Sequence, residues 1–293
     1  MDITRRRALQ TLAAAGAVLG GTAAPVSATE RREPPPDALG LLYDATRCIG
    51  CKACVVACAE TNGLVPDTTN APGGLWQMPV DLNGQTKTII KLYRDEETGA
   101  QSFVKTQCMH CIDPACVNAC MIGALQKGEH GIVTYDVDRC VGCRYCQIAC
   151  PFNVPKFEWA SSAPKIVKCE LCRHVLALGG QPGCTRACPR QAVIFGPRAE
   201  LLADAHRRIA RHPDTYVPHV YGEHEAGGTQ VLYLSHVPFQ ALGLPALGPE
   251  SVPAPQRTLQ SALYRGFAAP LVLYGALAAV MFRNRKTSSE ESA

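Results

Sequence analysis

Hydrophobic and polar residues alternate in only a few short stretches of this 293-residue chain. The alternation over residues 87–93 predicts a β-strand, and turn residues follow at 96–99. A β-hairpin is predicted between residues 126 and 138, where two glycines mark the turn, and one more strand at 231–234. Residues 200–211, rich in alanine and arginine, predict a polar helix. These elements favour an α+β fold.

A long apolar run near the N-terminus predicts an export signal. The paired arginines Arg5 and Arg6 precede an apolar stretch at residues 12–24, and small residues at 26–28 form a cleavage site. Residues 1–28 are therefore predicted to be a signal peptide. Twin arginines indicate the bacterial Tat route, and an ordinary secretory signal is the alternative.

A second apolar run lies near the C-terminus. Residues 266–282 contain no charged side chain, and Arg283, Arg285 and Lys286 follow at once. Seventeen residues are at the lower limit for crossing a bilayer, so the predicted membrane-spanning helix extends over 259–282. The basic residues after it place the tail in the cytoplasm and the body on the periplasmic side of the inner membrane. A buried core helix is the alternative.

Composition narrows the possible functions. The formal net charge of +4 and the lack of a basic stripe give no reason to expect a nucleic-acid partner. The chain has 16 cysteines, which implies disulfides, zinc sites or iron–sulphur clusters. Their spacing has to decide between these three.

The cysteines fall into four groups of four with none left over. The groups are Cys48, Cys51, Cys54 and Cys58; Cys108, Cys111, Cys116 and Cys120; Cys140, Cys143, Cys146 and Cys150; and Cys169, Cys172, Cys184 and Cys188. The third group, followed by Pro151, has the spacing of bacterial ferredoxins that bind [4Fe–4S] clusters. Zinc prefers two CxxC pairs separated by a longer stretch, and disulfides, although common in exported proteins, need no such spacing.

Internal repeats and chain length predict how the groups pair. Residues 42–51 match residues 134–143 at an offset of 92, and residues 114–120 match the region around Cys184 at an offset of 68. Only 19 residues separate Cys120 from Cys140, so the second and third groups form one compact unit and the first and fourth form another. In bacterial ferredoxins the fourth cysteine of a run binds the other cluster of the pair.

This crossing gives four ligand sets. They are Cys48, Cys51, Cys54 and Cys188; Cys58, Cys169, Cys172 and Cys184; Cys108, Cys111, Cys116 and Cys150; and Cys120, Cys140, Cys143 and Cys146. The expected cofactors are four [4Fe–4S] clusters. A disulfide-stapled, exported structural protein remains the alternative of a different class.

The rest of the sequence carries no catalytic motif: there is no dinucleotide-binding, phosphate-binding or nucleophile-elbow signature. Basic residues flank the cysteine loops, and either they raise cluster potentials or they form a solvated face. These residues are Lys52, Lys105, Arg144, Lys168 and Arg173. His110 and His174 also lie near the loops and are interpreted as surface or hydrogen-bonding residues.

Three further motifs carry a resemblance to a known family. They are Cys-Pro-Phe-Asn-Val-Pro-Lys at 150–156, Lys-Cys-Glu-Leu-Cys at 168–172 and Gly-Gly-Thr at 227–229. Together with the cysteine groups they resemble four-cluster ferredoxin-type subunits of membrane-bound respiratory oxidoreductases. The signal on this chain and its single C-terminal apolar helix make it most similar to the iron–sulphur subunit of hydrogenase-2 type [NiFe] hydrogenases. Met121, where proline is usual, departs from the pattern without affecting a ligand.

The resemblance implies an electron-transfer subunit without catalytic residues of its own. Its partners would be the hydrogenase small and large subunits and an integral-membrane quinone-reducing subunit; a formate dehydrogenase or other molybdoenzyme complex is the alternative. The expected fold has two pseudo-symmetric ferredoxin-like modules and a β insertion. The predicted segments are a signal (1–28), a linker (29–38), the four-cluster domain (39–237, with the insertion at 75–103), a Pro-rich tether (238–258), a transmembrane helix (259–282) and a cytoplasmic tail (283–293).

Overall fold

The computed structural model describes residues 32–67 and 74–290. The predicted signal peptide, residues 1–28, lies outside the described residues, as do the start of the linker and the last three residues of the tail. The chain separates into two compact units between Pro253 and Ala254.

Short strands and short helices make up most of the larger unit, which confirms the α+β class. The strands are β1 (Leu39–Asp44), β2 (Thr88–Arg94), β3 (Gln101–Gln107), β4 (Leu125–Lys127), β5 (Val133–Tyr135), β6 (Lys156–Phe157), β7 (Ile166–Val167), β8 (Val193–Pro197) and β9 (Val231–Leu234). The helices are α1 (Ala53–Thr61), α2 (Ala115–Asn118), α3 (Tyr145–Ala149), α4 (Arg173–Leu176), α5 (Gly183–Arg186), α6 (Arg198–Arg211) and, in the smaller unit, α7 (Ala254–Glu290).

A three-stranded sheet with β1 at its centre forms the core of the larger unit. β1 pairs antiparallel with β8 and parallel with β9. Successive side chains of a strand point to opposite faces, so Leu41 and Tyr43 face the main core while Leu42 faces α6. The sequence-based prediction missed β1 and β8; burial on both faces leaves β1 without a polar alternation.

Helix α6 covers the second face of this sheet. Its buried side chains Leu201 and Ala205 pack with Leu42, and the polar helix predicted at residues 200–211 is confirmed with two more residues at its start. Arg208 donates a hydrogen bond over 3.0 Å to Asp44, a carboxylate that is 0 % exposed. This ion pair fixes the helix to the end of β1.

The backbone repeats itself in the cysteine loops, as the two-module interpretation predicts. Gly50 and Gly142, which correspond at the offset of 92, both adopt a left-handed conformation, with φ of 68° and 70°. Lys52 and Arg144, two residues later in each loop, have φ of 59° and 63°. The same turn therefore leads into α1 and into α3.

Pairs of short helices connect the groups. α1 packs against α5, and α2 packs against α3. Gly183 makes the first contact possible, because a Cβ there would lie 2.3 Å from Thr61 Oγ1 and 2.9 Å from the carbonyl oxygen of Ala57. The first cysteine group is thus held beside the fourth, and the second beside the third.

Two connecting regions pack against the rest of the larger unit in ways that the sequence did not predict. The insertion contains the hairpin β2–β3, as expected, but it packs on the first cysteine loop: a Cβ on Gly50 would lie 2.2 Å from the ring of Phe103. Residues 238–253, predicted to be an extended tether, fold back on the larger unit, where Phe239 and Leu242 are buried. Apolar side chains between the prolines explain this packing.

The predicted membrane-spanning helix needs correction. Residues 254–290 do form one helix, which continues through Pro270, but no helix within the described residues is both long and apolar enough to cross a membrane. The prediction of a membrane span over 259–282 is therefore wrong by this criterion.

Candidate metal centres

Each cysteine group consists of a loop and the short helix that follows it. Cys48 and Cys51 lie in the first loop, and α1 carries Cys54 and Cys58 on its buried face. In the other groups the helices α2, α3 and α5 carry only the third cysteine, and the fourth follows the helix. All 16 cysteines are free thiols in the structure, so none of the groups is joined by a disulfide.

The first cavity brings together Cys48, Cys51 and Cys54 of the first group with Cys188 of the fourth. Tyr43 also lines this cavity. Cys188 belongs to the segment after α5, which the contact between α5 and α1 carries to this position. Three thiols of one group and one from a distant segment of the chain therefore surround the same space.

The second cavity shows the reciprocal arrangement. Cys58 of the first group lines this cavity together with Cys169, Cys172 and Cys184 of the fourth. The side-chain amide of Asn62 lies 3.8 Å from Cys58 Sγ and 3.9 Å from Cys172 Sγ. One amide therefore reaches thiols from two groups that are more than 100 residues apart.

The second and third groups approach each other in the same crossed manner. Burial and then the charges of neighbouring thiols raise the pKa of Cys111, and these neighbours are Cys108, Cys150 and Cys116. Burial raises the pKa of Cys146 to about 11, with contributions from Cys120, Cys140 and Cys143. In each case the fourth thiol comes from the other group.

Burial keeps the thiols of the cysteine groups protonated when no metal is bound. Burial raises the pKa of Cys54, Cys58 and Cys116 to about 12, so without metal these side chains are protonated at neutral pH, and metal binding has to displace the protons. Within the described ranges no group of three or more cysteine, histidine or acidic side chains has the geometry to hold a metal ion.

Backbone amides also point at the sulphur atoms. The N–H groups of Gly50, Leu171 and Ala192 lie 3.5, 3.4 and 3.2 Å from the Sγ atoms of Cys48, Cys169 and Cys188. Such donors stabilise sulphur that carries negative charge, which is the charge that thiolates bound to iron would carry. The donor set is therefore suited to [4Fe–4S] clusters.

The four thiol sets follow one another along the molecule. After burial, the pKa of Cys54 is raised by the charge of Cys184, which joins the first set to the second. Cys108 acts in the same way on Cys169, and Cys146 acts on Cys116. The same three pairs of cysteines also pack in shared buried clusters, which gives the order of the first cavity, the second cavity, the set of Cys111 and the set of Cys146.

The Gly-Gly-Thr motif at residues 227–229 packs against the second cysteine loop. The N–H of Ile112 donates over 2.9 Å to the carbonyl oxygen of Gly228, and Cys111 forms a β-bridge with Thr229. Thr229 is 0 % exposed. The motif therefore supports the second cysteine loop from the strand that leads into β9.

The basic residues near the loops divide into two kinds. Lys105 and Lys168 are buried, at 0 % and 2 % exposed, whereas Arg144 and Arg173 are exposed. The solvated face is confirmed for Arg144 and Arg173, and an effect on cluster potentials stays a prediction for Lys105 and Lys168. The sequence-based search missed Lys127, whose amine donates over 2.7 Å to the carbonyl oxygen of Cys111 and whose pKa burial lowers to about 8. The search considered basic residues that flank the cysteines, and Lys127 is too far from any cysteine in the sequence to be among them.

The two histidines occupy different environments. His110 is fully buried, and its Nδ1 accepts a hydrogen bond over 3.0 Å from the N–H of Val133. Burial and the nearby charges of Lys168 and Lys127 hold its pKa well below the usual range, so the ring is neutral. His174 is exposed and lies 3.0 Å from the carbonyl oxygen of Thr61.

Comparison with known proteins gives consistent results. A family model described as "4Fe-4S dicluster domain" matches residues 100–198. The "Hydrogenase-2 operon protein HybA" of Shigella flexneri is 40 % identical over 321 aligned residues, which cover 98 % of this chain and 97 % of that protein. The iron–sulphur subunit of the nitrate-inducible formate dehydrogenase of Escherichia coli is 36 % identical over 200 residues, 67 % of each chain. That of Haemophilus influenzae formate dehydrogenase is 34 % identical over 222 residues, 72 % of this chain and 70 % of the relative.

The fold and the cysteine sets define an iron–sulphur protein of the ferredoxin class that carries [4Fe–4S] clusters. The near full-length similarity makes the assignment more specific. The chain belongs to the family of iron–sulphur electron-transfer subunits that includes the hydrogenase-2 protein HybA, and it is related to the formate dehydrogenase iron–sulphur subunits.

Double variants can test the crossed ligand sets. If all four sets bind clusters, Cys58→Ser should lower the iron content from about 16 to about 12 per chain, because one cluster of four irons is lost. Combining it with Cys172→Ser should remove no further iron, since both thiols line the second cavity. Combining it with Cys51→Ser should remove a second cluster and leave about 8. Iron analysis that gave the opposite pattern for the two double variants would show that each group binds its own cluster.

Proposed function

We propose that this protein is a non-catalytic electron-transfer subunit that carries electrons from a periplasmic [NiFe] hydrogenase through four [4Fe–4S] clusters to a membrane-bound, quinone-reducing subunit. The observation that carries the proposal is the succession of four thiol sets across the larger unit. All 16 cysteines take part, and each set contains three thiols of one group and one of another.

The exposure of the sets supports transfer from end to end. Cys51 and Cys143 are the two exposed cysteines, and they belong to the first and the last set of the row. Both inner sets lie deeper; Cys169, for example, is buried. Electrons can therefore enter and leave at the two end sets, while the inner sets are reached only through them.

In an electron-transfer subunit the residues of the chain hold the clusters and adjust their surroundings. When bound, [4Fe–4S] clusters supply one-electron redox chemistry at potentials that their surroundings adjust. The cysteine loops fix the positions of the thiolates, the buried core excludes water, and backbone N–H groups stabilise the sulphur charge. None of these tasks requires an acid, a base or a nucleophile, which agrees with the lack of catalytic motifs in the sequence.

The choice of hydrogenase rests on how much of the chain each relative covers. The hydrogenase-2 relative aligns with 98 % of the chain, including the segments before and after the cysteine groups. The Escherichia coli formate dehydrogenase subunit aligns with 67 %. A role in a formate dehydrogenase is the second candidate, because the cysteine-bearing region is shared by both kinds of relative.

We further propose that the chain is exported to the periplasm by the Tat route. The twin arginines at the N-terminus support this, and a route for folded proteins would allow clusters to be inserted before export. Replacing Arg5 and Arg6 together by lysine should leave the protein in the cytoplasm, as fractionation and immunoblotting would show. Periplasmic recovery of that variant at the wild-type level would refute this route.

The electron-transfer proposal has a direct test in the purified complex. Prepared without oxygen together with its hydrogenase partners, the protein should contain about 16 iron and 16 sulphide ions per chain. Hydrogen gas should bleach its visible cluster absorption, and it should do so only when the catalytic subunits are present. A protein without iron would exclude electron transfer by clusters. Reduction by formate with a molybdoenzyme partner, but not by hydrogen, would support the second candidate instead.

A further inference from the structure

Lys105 is a charged side chain in the middle of the core. It lies on β3 opposite Ile90 of β2 and is 0 % exposed. Its ammonium group donates hydrogen bonds to Thr88 Oγ1 and Gln107 Oε1. Both acceptors are neutral, so these contacts orient the ammonium group without compensating its charge.

Lys105 lies between two of the proposed cluster sites. It lines the first cavity together with Cys48 and Cys54. Its charge also opposes the burial that raises the pKa of Cys58 and Cys184, which belong to the second set. Although desolvation lowers the pKa of Lys105, the cysteines of both sets more than offset this and raise it above the ordinary lysine value. Thr88 and Gln107, which accept the hydrogen bonds of Lys105, line the second cavity, so Lys105 lies between the two sets.

Burial of a lysine is unfavourable unless an anion lies close to it. A [4Fe–4S] core with four thiolates has a formal charge of −2 in its oxidised form, so two such groups would supply the missing negative charge. The hairpin β2–β3 therefore does more than cover the first loop. It carries Lys105 to the first cavity, which Lys52 of the first cysteine loop also lines.

The other module also has a buried lysine, but at a different position. Cys108 corresponds to Cys169 in the repeat, so Gln107 corresponds to Lys168 and Lys105 to Ile166. Residues two apart on a strand point to the same face, and Lys168 is 2 % exposed. Lys168 lowers the pKa of Cys116, which burial raises. The segments that lead into the second and the fourth cysteine groups thus each carry one buried lysine.

We propose that Lys105 is the shared counter-ion of the two clusters held by the first and second cavities, and that it raises the reduction potentials of both. This inference rests on the proposed electron-transfer function. Each cluster takes up one electron from its neighbour and passes one electron on. The lysine keeps its proton throughout, so its positive charge favours the reduced form of either cluster. It lies between the two clusters that exchange the electron.

The variant Lys105→Met tests this proposal because it keeps the length of the side chain and removes the charge. In a redox titration followed by electron paramagnetic resonance, two of the four midpoint potentials should fall, each by about 59 mV or more, which is a tenfold change in the reduced-to-oxidised ratio. The other two midpoints and the iron content should stay at their wild-type values. Arg94→Met, an equal loss of charge at an exposed position on the same hairpin, should move none of them.

A second variant covers the case in which Lys105→Met does not fold. Gln107→Glu keeps the lysine and sets a carboxylate beside it, so the same two midpoints should fall. Four unchanged midpoints in a variant with full iron content, or an equal shift of all four, would overturn the role of Lys105. A wild-type protein that binds no clusters would instead overturn the proposed function, so the two failures are distinguishable.

Discussion

The fold depends on the crossing of the fourth thiol from each cysteine loop to the site of another. Cys188 reaches the first cavity and Cys58 reaches the second, so residues near the start of the larger unit must lie beside residues about 140 positions later in the chain. The contact between α1 and α5 and the pairing of β1 with β8 are consequences of this requirement. Gly183 is small because these helices approach so closely.

The same crossing concentrates negative charge inside a small protein. Four thiolate sets in a row would repel one another if nothing lay between them. In the larger unit, backbone N–H groups directed at sulphur and buried lysines would offset this negative charge. Lys105 and Lys168 are the least exposed of these lysines. A near-neutral sequence can therefore contain a strongly anionic interior, because part of its positive charge is placed next to the sites rather than on the surface.

Three thiols of each set could be predicted from the cysteine spacing, because they belong to one loop and the helix after it. The fourth thiol could be predicted only from the repeats, the chain length and the crossed ligation of bacterial ferredoxins. The strand β1 was missed because a strand buried on both faces has no alternation, and β8 was missed because two of its five residues are glycine and proline, which are uncommon in strands. The burial of Lys105 could not be predicted either, since it depends on how the hairpin β2–β3 packs on a loop more than 40 residues earlier. The membrane span at 259–282 was predicted from composition alone, and the structure does not support it.

The central claim is that four clusters lie in one row, each held by three thiolates of one group and one of another. Anomalous X-ray scattering at the iron edge, from crystals of the protein purified without oxygen, tests it most directly. Four separate iron sites are expected, in the order of the first cavity, the second cavity, the set of Cys111 and the set of Cys146, with Cys188 and Cys58 bound to the first and second. Fewer iron sites, or a fourth ligand drawn from the same loop as the other three, would contradict the account.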